Sequence, residues 1–252
     1  MNILVTNDDG INAPGIRSLV SALSERADVY VCAPDGQRSG NSQSITLNKR
    51  IFVEEREVPG AKKAYAATGT PADCAKMGIQ LCEDQGIKIH MVYAGINMGS
   101  NLGKDTLYSG TVGAAKEAAV SGYQSVAVSV DSHEATEFEA ANILAVKMID
   151  MVYGKFPSSV IMNINAPNLP KDQIKGVKIT KLGDRYYSDR FVPVDDEEGG
   201  YQLGGAPGNF EDFGDEYDVT ANHHNYASIT PLHFDYTDHN NFKEIEKWEL
   251  TI

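Results

Sequence analysis

The first half of the chain alternates short apolar segments with segments of helical spacing. Residues 3–5, 27–33, 87–94 and 124–130 have strand-like apolar patterns, and residues 16–23 carry apolar side chains at helical intervals. Continuous apolar runs are typical of strands that are covered on both faces, and their alternation with helices predicts a mostly parallel sheet. We therefore expect an α/β fold.

Two adjacent aspartates follow the first predicted strand. Asp8 and Asp9 come directly after its apolar run, and Gly10 permits a sharp turn. Ligands bind at the carboxyl ends of strands in open α/β sheets. Neighbouring carboxylates repel each other unless a cation lies between them, and hard oxygen ligands suit Mg²⁺, Mn²⁺ or Ca²⁺. The alternative interpretation is a helix cap followed by a solvated acid.

Two further loops after predicted strands carry polar side chains. The loop at 34–40 offers the guanidinium of Arg38, the hydroxyl of Ser39 and the turn at Gly40, which together could hold a phosphate oxygen. The loop at 95–103 offers the amide oxygens of Asn97 and Asn101, which could complete a cation shell without adding charge. Each loop could equally be an ordinary polar turn.

The segment Ser109, Gly110 and Thr111 precedes an alanine-rich helix. The free N–H groups and the positive end of that helix predict an anion site, although a simple N-cap explains the same residues. The spacing is not that of a P-loop, and no G-x-G-x-x-G follows the first strand.

Composition sets wider limits. The chain has 252 residues with 42% hydrophobic content, enough for one large α/β domain. No apolar run reaches the roughly 18 residues of a membrane span, and the chain enters a strand without a signal-like segment. We therefore expect a cytoplasmic protein. A net charge of −13 disfavours binding to nucleic-acid polymers.

The remaining reactive side chains give weak signals. Three cysteines without C-x-x-C spacing indicate neither a disulfide framework nor a zinc site. Histidines in the C-terminal tail and His90 in a predicted strand are more typical of structural or surface positions than of catalysis. The sequence contains no G-x-S-x-G motif, so it does not indicate a serine hydrolase.

Taken together, the ordered motifs resemble the SurE family. The shared segments are residues 7–10, 33–40, 69–73, 95–101, 109–115 and 228–232. The resemblance implies a three-layer α/β/α sandwich with a Rossmann-like core in a single domain, 1–252, and a C-terminal β-rich arm for oligomerisation. It also implies a stationary-phase survival protein that hydrolyses nucleoside 5′- and 3′-monophosphates to nucleoside and phosphate. Some relatives are also credited with hydrolysing short-chain polyphosphate.

The resemblance also assigns roles to residues. Asp8, Asp9, Ser39 and Asn97 match the family's ligands for one divalent ion, Mg²⁺ or Mn²⁺. Asn101 and the segment 109–111 match its phosphate contacts, and we add Arg38 and Gly40 as substrate-binding candidates. Ala94 departs from the family's usual serine at that position.

Three mechanisms stay open. In the first, a water near the metal is the nucleophile and Asp8 or Asp9 helps to remove its proton. In the second, Asp8 is itself phosphorylated, although such phosphatases usually place the second acid two residues on. In the third, the protein binds nucleotides as a regulator without hydrolysing them.

A final expectation concerns residues 180–227. Their glycines, acids and aromatics do not build an independent core, so we predict an extended β-hairpin arm that packs on another copy of the chain. Phe191, Tyr201, Phe210 and Phe213 would be buried there, in a dimer or a tetramer.

Overall fold

A computed structural model describes residues 1–185, 190–195, 199–204 and 210–250. The strands are β1 (Asn2–Thr6), β2 (Asp28–Pro34), β3 (Val53–Arg56), β4 (Ala61–Ala67), β5 (Met91–Met98), β6 (Gln124–Asp131), β7 (Val160–Pro167), β8 (Val177–Ile179), β9 (Arg190–Pro193), β10 (Tyr201–Gly204) and β11 (Ala227–His233). The helices are α1 (Pro14–Ser24), α2 (Pro71–Glu83), α3 (Gly110–Val120), α4 (Glu139–Val152), α5 (Asp218–His223) and α6 (His239–Ile245), with 3₁₀ helices at Gly103–Leu107 and Lys171–Gln173.

The central sheet is mostly parallel, as the sequence predicts. Within the described residues its strand order is β3-β4-β2-β1-β5-β6-β7-β11-β8. In this order, every adjacent pair of strands from β4 through β2, β1, β5 and β6 to β7 is parallel. Antiparallel pairing occurs where β3 meets β4 and where β11 meets β7. The strands β9 and β10 form a separate antiparallel hairpin.

Helices cover both faces of this sheet. The side chains of Ile3 and Val5 pack into the core that contains α1 and α4, whereas Leu4 between them packs into the core beside α2. All three are almost completely buried. Successive side chains of a strand point to opposite faces, so a continuous apolar run is what a strand with helices on both faces requires. The predicted three-layer α/β/α sandwich is confirmed.

The strand order reverses beside β1. From β1 the chain builds outward through β2 and β4 on one side, and it then returns to place β5 on the other side of β1. At such a point the connections that follow two neighbouring strands lead in opposite directions along the sheet. This leaves a crevice at the carboxyl ends of the two strands. The segment 7–10 and the end of β5 therefore border the same crevice.

Two elements differ from the sequence expectation. The strand β5 extends to Met98 because its pairing with β6 resumes at Asn97 after an irregularity, so Asn97 lies on a strand rather than in a loop. The apolar pattern from Glu134 to Val152 predicts one long amphipathic helix, but α4 begins only at Glu139. Its expected first turn is held in another conformation, because Asn168 Oδ1 accepts hydrogen bonds from the N–H groups of Thr136 and Glu137.

The structure describes part of the predicted arm at 180–227, including the hairpin of β9 and β10. Residues 186–189, 196–198 and 205–209 lie outside the described residues. The hairpin of β9 and β10 projects Phe191 and Tyr201 into solvent, with 67% and 74% of each residue exposed. The chain then returns to the main body through α5, where Asp218 and Thr220 are fully buried. No helix in the described residues has the length and apolar character needed to cross a membrane.

Candidate functional site

Asp8 lies beneath the amino end of α3. Only 4% of the residue is exposed, and its Oδ1 accepts a hydrogen bond from the hydroxyl of Thr111. Gly110 lies so close that a Cβ atom there would be 2.8 Å from both Cβ and Oδ2 of Asp8. The helix can therefore approach the carboxylate because position 110 has no side chain.

Asp9 faces the end of β5. Its Oδ2 accepts a hydrogen bond from the N–H of Met98 at 3.0 Å, and the residue is half-buried. Asn7 makes the turn between the strand and Gly10, with its amide oxygen accepting from Gly10 N–H at 3.2 Å and its amide nitrogen donating to Gly10 O at 2.9 Å. These bonds fix the two carboxylates in the crevice.

Both carboxylates resist ionisation. Burial raises the pKa of Asp8 from 3.8 to about 6, against the lowering effect of the Thr111 hydrogen bond, and the charge of Asp9 raises it further. Burial also raises the pKa of Asp9, although the Met98 N–H and the charge of His133 oppose the rise. Neither forms an ion pair with a described lysine or arginine.

The loop at 34–40 lies against the same turn. The N–H of Arg38 donates to the backbone oxygen of Asp8 at 2.7 Å, which holds this loop against the turn that carries the two carboxylates. The hydroxyl of Ser39 accepts from Gln37 at 3.0 Å and keeps its second lone pair. The guanidinium of Arg38 is partly exposed and pairs with Asp35 at 2.9 Å.

Asn97 is next in the chain to Met98, whose N–H contacts Asp9. Its amide nitrogen donates to Gly99 O at 2.7 Å, which leaves the amide oxygen as the group with acceptor capacity. The Asp8 and Asp9 carboxylates, the Ser39 hydroxyl and the Asn97 amide oxygen are all hard oxygen donors, the kind that Mg²⁺ or Mn²⁺ prefers. No group of three or more His, Cys, Asp or Glu side chains that could hold a metal occurs in the described ranges. A divalent ion bound by Asp8 and Asp9 would therefore need neutral oxygen ligands, such as those of Ser39 and Asn97, to complete its shell.

A network of buried polar side chains holds Asn101. Its N–H donates to Asn165 Oδ1 at 2.7 Å, and its backbone oxygen accepts from the amides of Asn163 and Asn165 at 2.8 and 3.1 Å. Its own side-chain amide donates to the hydroxyl of Ser129 at 2.8 Å. Because Asn163, Asn165 and Ser129 are fully buried on β6 and β7, the sheet itself sets the position of Asn101.

Ser109 is the N-cap of α3, and Gly110 and Thr111 lie in its first turn rather than before it. The hydroxyls of Ser109 and Thr111 are already engaged. The Ser109 hydroxyl accepts from the N–H of Val112 at 3.0 Å and is therefore an N-cap. The Thr111 hydroxyl donates to Asp8. Because Ser109 already accepts from the Val112 N–H, the N–H groups of Gly110 and Thr111 and the helix dipole are what this end offers to an anion.

Sequence reasoning did not single out His133, which lies beside this site. The residue follows β6 by two positions, and its ring packs against Gly99. A signal was available, because His133 follows a predicted strand at the same edge of the sheet as Asp9 and Asn97.

Comparison with known proteins identifies the family of this chain. A family model described as Survival protein SurE matches residues 3–189. This chain belongs to the SurE family. The match includes every candidate site residue.

Relatives and a solved structure extend the similarity along the chain. The 5′-nucleotidase SurE of Rubrobacter xylanophilus is 38% identical over 99% of this chain and 98% of its own length. The 5′/3′-nucleotidase SurE of Escherichia fergusonii is 40% identical over 98% and 96%, respectively. The crystal structure of the SurE protein from Aquifex aeolicus is similar with a TM-score of 0.83 and 34% identity, covering 98% of each chain.

Proposed function

We propose that this chain is a metal-dependent phosphomonoesterase that hydrolyses nucleoside 5′- and 3′-monophosphates to nucleoside and inorganic phosphate. Its SurE relatives carry the names 5′-nucleotidase and 5′/3′-nucleotidase, which supports this substrate class. The observation that carries the proposal is the pair Asp8 and Asp9. Burial raises the pKa of both carboxyls at the switch point of the sheet, and no described lysine or arginine neutralises them.

In this proposal Asp8, Asp9, Ser39 and Asn97 hold one divalent ion, Mg²⁺ or Mn²⁺. The ion supplies positive charge that offsets the charge developing on the phosphoryl oxygens. The two carboxylates provide the charged ligands, and the hydroxyl and amide oxygens add donors without further repulsion.

The phosphoryl group then lies between the amino end of α3 and the neighbouring loops. The positive helix end and the first-turn N–H groups around Gly110 attract the phosphate. Asn101 is fixed by its polar network, so its side-chain amide is offered to the phosphate at a set position. Arg38 and Gly40 border the other side of the phosphate. Ser109 and Thr111 contribute by fixing the first turn and by orienting Asp8.

Water attacks phosphorus in line with the leaving nucleoside oxygen. Asp9 is the better placed carboxylate to receive its proton, because Asp9 is more exposed than Asp8 and is not held by a side-chain hydroxyl. We also propose that the active form is a dimer or tetramer, since the β9–β10 hairpin exposes large aromatic side chains.

Phosphate release tests the function directly. Purified protein is treated with chelator, and phosphate is measured from a panel of nucleoside 5′- and 3′-monophosphates with and without added Mn²⁺ or Mg²⁺. We expect release only with metal. Tight nucleotide binding without release would favour the regulator, and a product trapped with borohydride at Asp8 would favour an aspartyl-phosphate intermediate.

A further inference from the structure

His133 lies at the edge of the proposed site without a structural partner. The strand β6 ends at Asp131, so His133 emerges at the carboxyl edge of the sheet, where Asp9 also lies. The residue is exposed, and its ring makes no hydrogen bond or ion pair with any residue that the structure describes. An unpaired imidazole at this edge is available to a ligand.

Gly99 brings the ring close to the site. A Cβ atom at Gly99 would lie 2.9 Å from Cε1 and 3.0 Å from Nδ1 of His133, so the ring can rest there only because this residue is glycine. The carbonyl of Gly99 accepts the amide proton of Asn97, a proposed metal ligand. The charge of His133 also lowers the pKa of Asp9, which places the imidazole within electrostatic reach of that carboxylate.

The geometry does not make His133 a metal ligand. Asp8, Asp9 and His133 do not form a group that could hold a metal, and across the described chain segments no other such group of three arises. An imidazole that lies against Gly99 but outside the ligand set is suited to proton transfer, because its ring nitrogens can donate and accept a proton.

We propose that His133 is the general acid that protonates the leaving oxygen of the nucleoside. The proposal rests on the proposed phosphomonoesterase function. As the oxygen of water bonds to phosphorus, the bond from phosphorus to the nucleoside oxygen breaks. The imidazolium gives its proton to that oxygen, which leaves as a hydroxyl group. The attacking water loses one proton, and solvent returns one proton to the imidazole, so the reaction is balanced.

The test compares two leaving groups. A nucleoside hydroxyl leaves poorly without a proton, whereas the nitrophenolate of p-nitrophenyl phosphate leaves readily as an anion. With Mn²⁺ present, His133→Gln should lower kcat on a nucleoside 5′-monophosphate by about 100-fold. The ratio of kcat on p-nitrophenyl phosphate to kcat on the nucleotide should rise by at least about 30-fold. Free imidazole should restore part of the nucleotide turnover of His133→Ala.

His90→Gln is the matched control. His90 precedes β5 at the opposite edge of the sheet, where its Nδ1 accepts from the N–H of Asn2 at 3.0 Å, and this substitution should leave the ratio unchanged. An equal loss on both substrates in His133→Gln, or no loss on the nucleotide, would overturn the role of His133 alone. Wild-type protein inactive on both substrates would refute the phosphatase function, and this proposal with it.

Discussion

At the scale of single residues, the site is governed by the cost of burying two carboxylates. Asp8 is 4% exposed, and its pKa rises from 3.8 to about 6. Such a rise corresponds to roughly 3 kcal/mol of folding free energy at neutral pH. A bound cation would offset this cost, so metal binding and folding stability should be linked.

The first prediction follows from the sign of this pKa change. Because the pKa of Asp8 is raised in the folded state, its stabilising contribution to the free energy of unfolding is fully present below pH 3.8. This contribution is lost as the pH rises through about 6. In chelator at pH 7.5, Asp8→Asn should therefore raise the free energy of unfolding by about 1 to 3 kcal/mol. Asparagine keeps an acceptor for the Thr111 hydroxyl.

Urea denaturation at pH 7.5 and pH 4 measures this effect. At pH 4 the gain should nearly disappear, because the wild-type carboxyl is then mostly protonated when folded. The matched control is Asp150→Asn, whose exposed carboxylate pairs with Arg26 on the surface. A gain of the same size at both pH values would show that charge is not the cause.

A second residue-scale prediction concerns the support of Asn101. Asn165→Leu would remove the acceptor of Asn101 N–H and one donor to its carbonyl, both in a buried site. Unsatisfied buried groups cost about 1 to 3 kcal/mol each, so unfolding free energy should fall by at least 2 kcal/mol, roughly. The inhibition constant of inorganic phosphate should also rise, as steady-state inhibition would measure. Unchanged phosphate inhibition would separate Asn101 from the phosphate site.

At the scale of elements, the amino end of α3 joins the carboxylate pair to the phosphate site. The close approach of Gly110 to Asp8 means that one position affects both. Gly110→Ala should thus lower kcat/KM by about 100-fold and weaken metal binding, since its Cβ would displace Asp8.

Gly36→Ala provides the matched glycine control. A Cβ atom at Gly36 would meet no atom within 4 Å, although the residue belongs to the loop at 34–40 beside the site. The kcat/KM of Gly36→Ala should stay within about threefold of wild type, a change of about 0.65 kcal/mol in activation free energy. If Gly110→Ala behaves like Gly36→Ala in kinetics and in Mn²⁺ titration, the helix end does not border the reacting group.

The sequence predicts the elements that local chemistry controls. The run at 3–5 predicts a buried parallel strand, and Ser109 predicts the start of α3, because strand patterning and N-caps act within a few residues. The extension of β5 to Met98 depends on pairing with β6, and the late start of α4 depends on Asn168, which is distant in sequence. The placement of His133 on Gly99 likewise needs two strands to be aligned.

At the scale of the whole molecule, exposed apolar side chains support the proposed self-association. Phe191 and Tyr201 are 67% and 74% exposed on the hairpin, and α6 has no buried residue. Burying such an aromatic side chain contributes on the order of 1.5 to 3 kcal/mol. The double substitution Phe191→Ser and Tyr201→Ser should therefore reduce the particle mass in sedimentation velocity runs.

A control substitution keeps this prediction specific. Met151 on α4 is 54% exposed, away from the hairpin in sequence, and Met151→Ser should leave the sedimentation coefficient unchanged. Wild-type protein that sediments as a monomer at micromolar concentration would contradict the proposed dimer or tetramer.

The central claim is that Asp8 and Asp9 bind a divalent ion that the phosphatase reaction requires. The most direct measurement is phosphate release from a nucleoside 5′-monophosphate by wild-type protein and Asp9→Asn, both titrated with Mn²⁺ after chelation. Wild-type turnover should appear when metal is added, while the turnover of Asp9→Asn should stay at least about 100-fold lower at saturating Mn²⁺. Asp9→Asn should still show a cooperative thermal unfolding transition, as a folded protein does. Near-normal turnover of Asp9→Asn, or wild-type turnover that persists in chelator, would contradict the central claim.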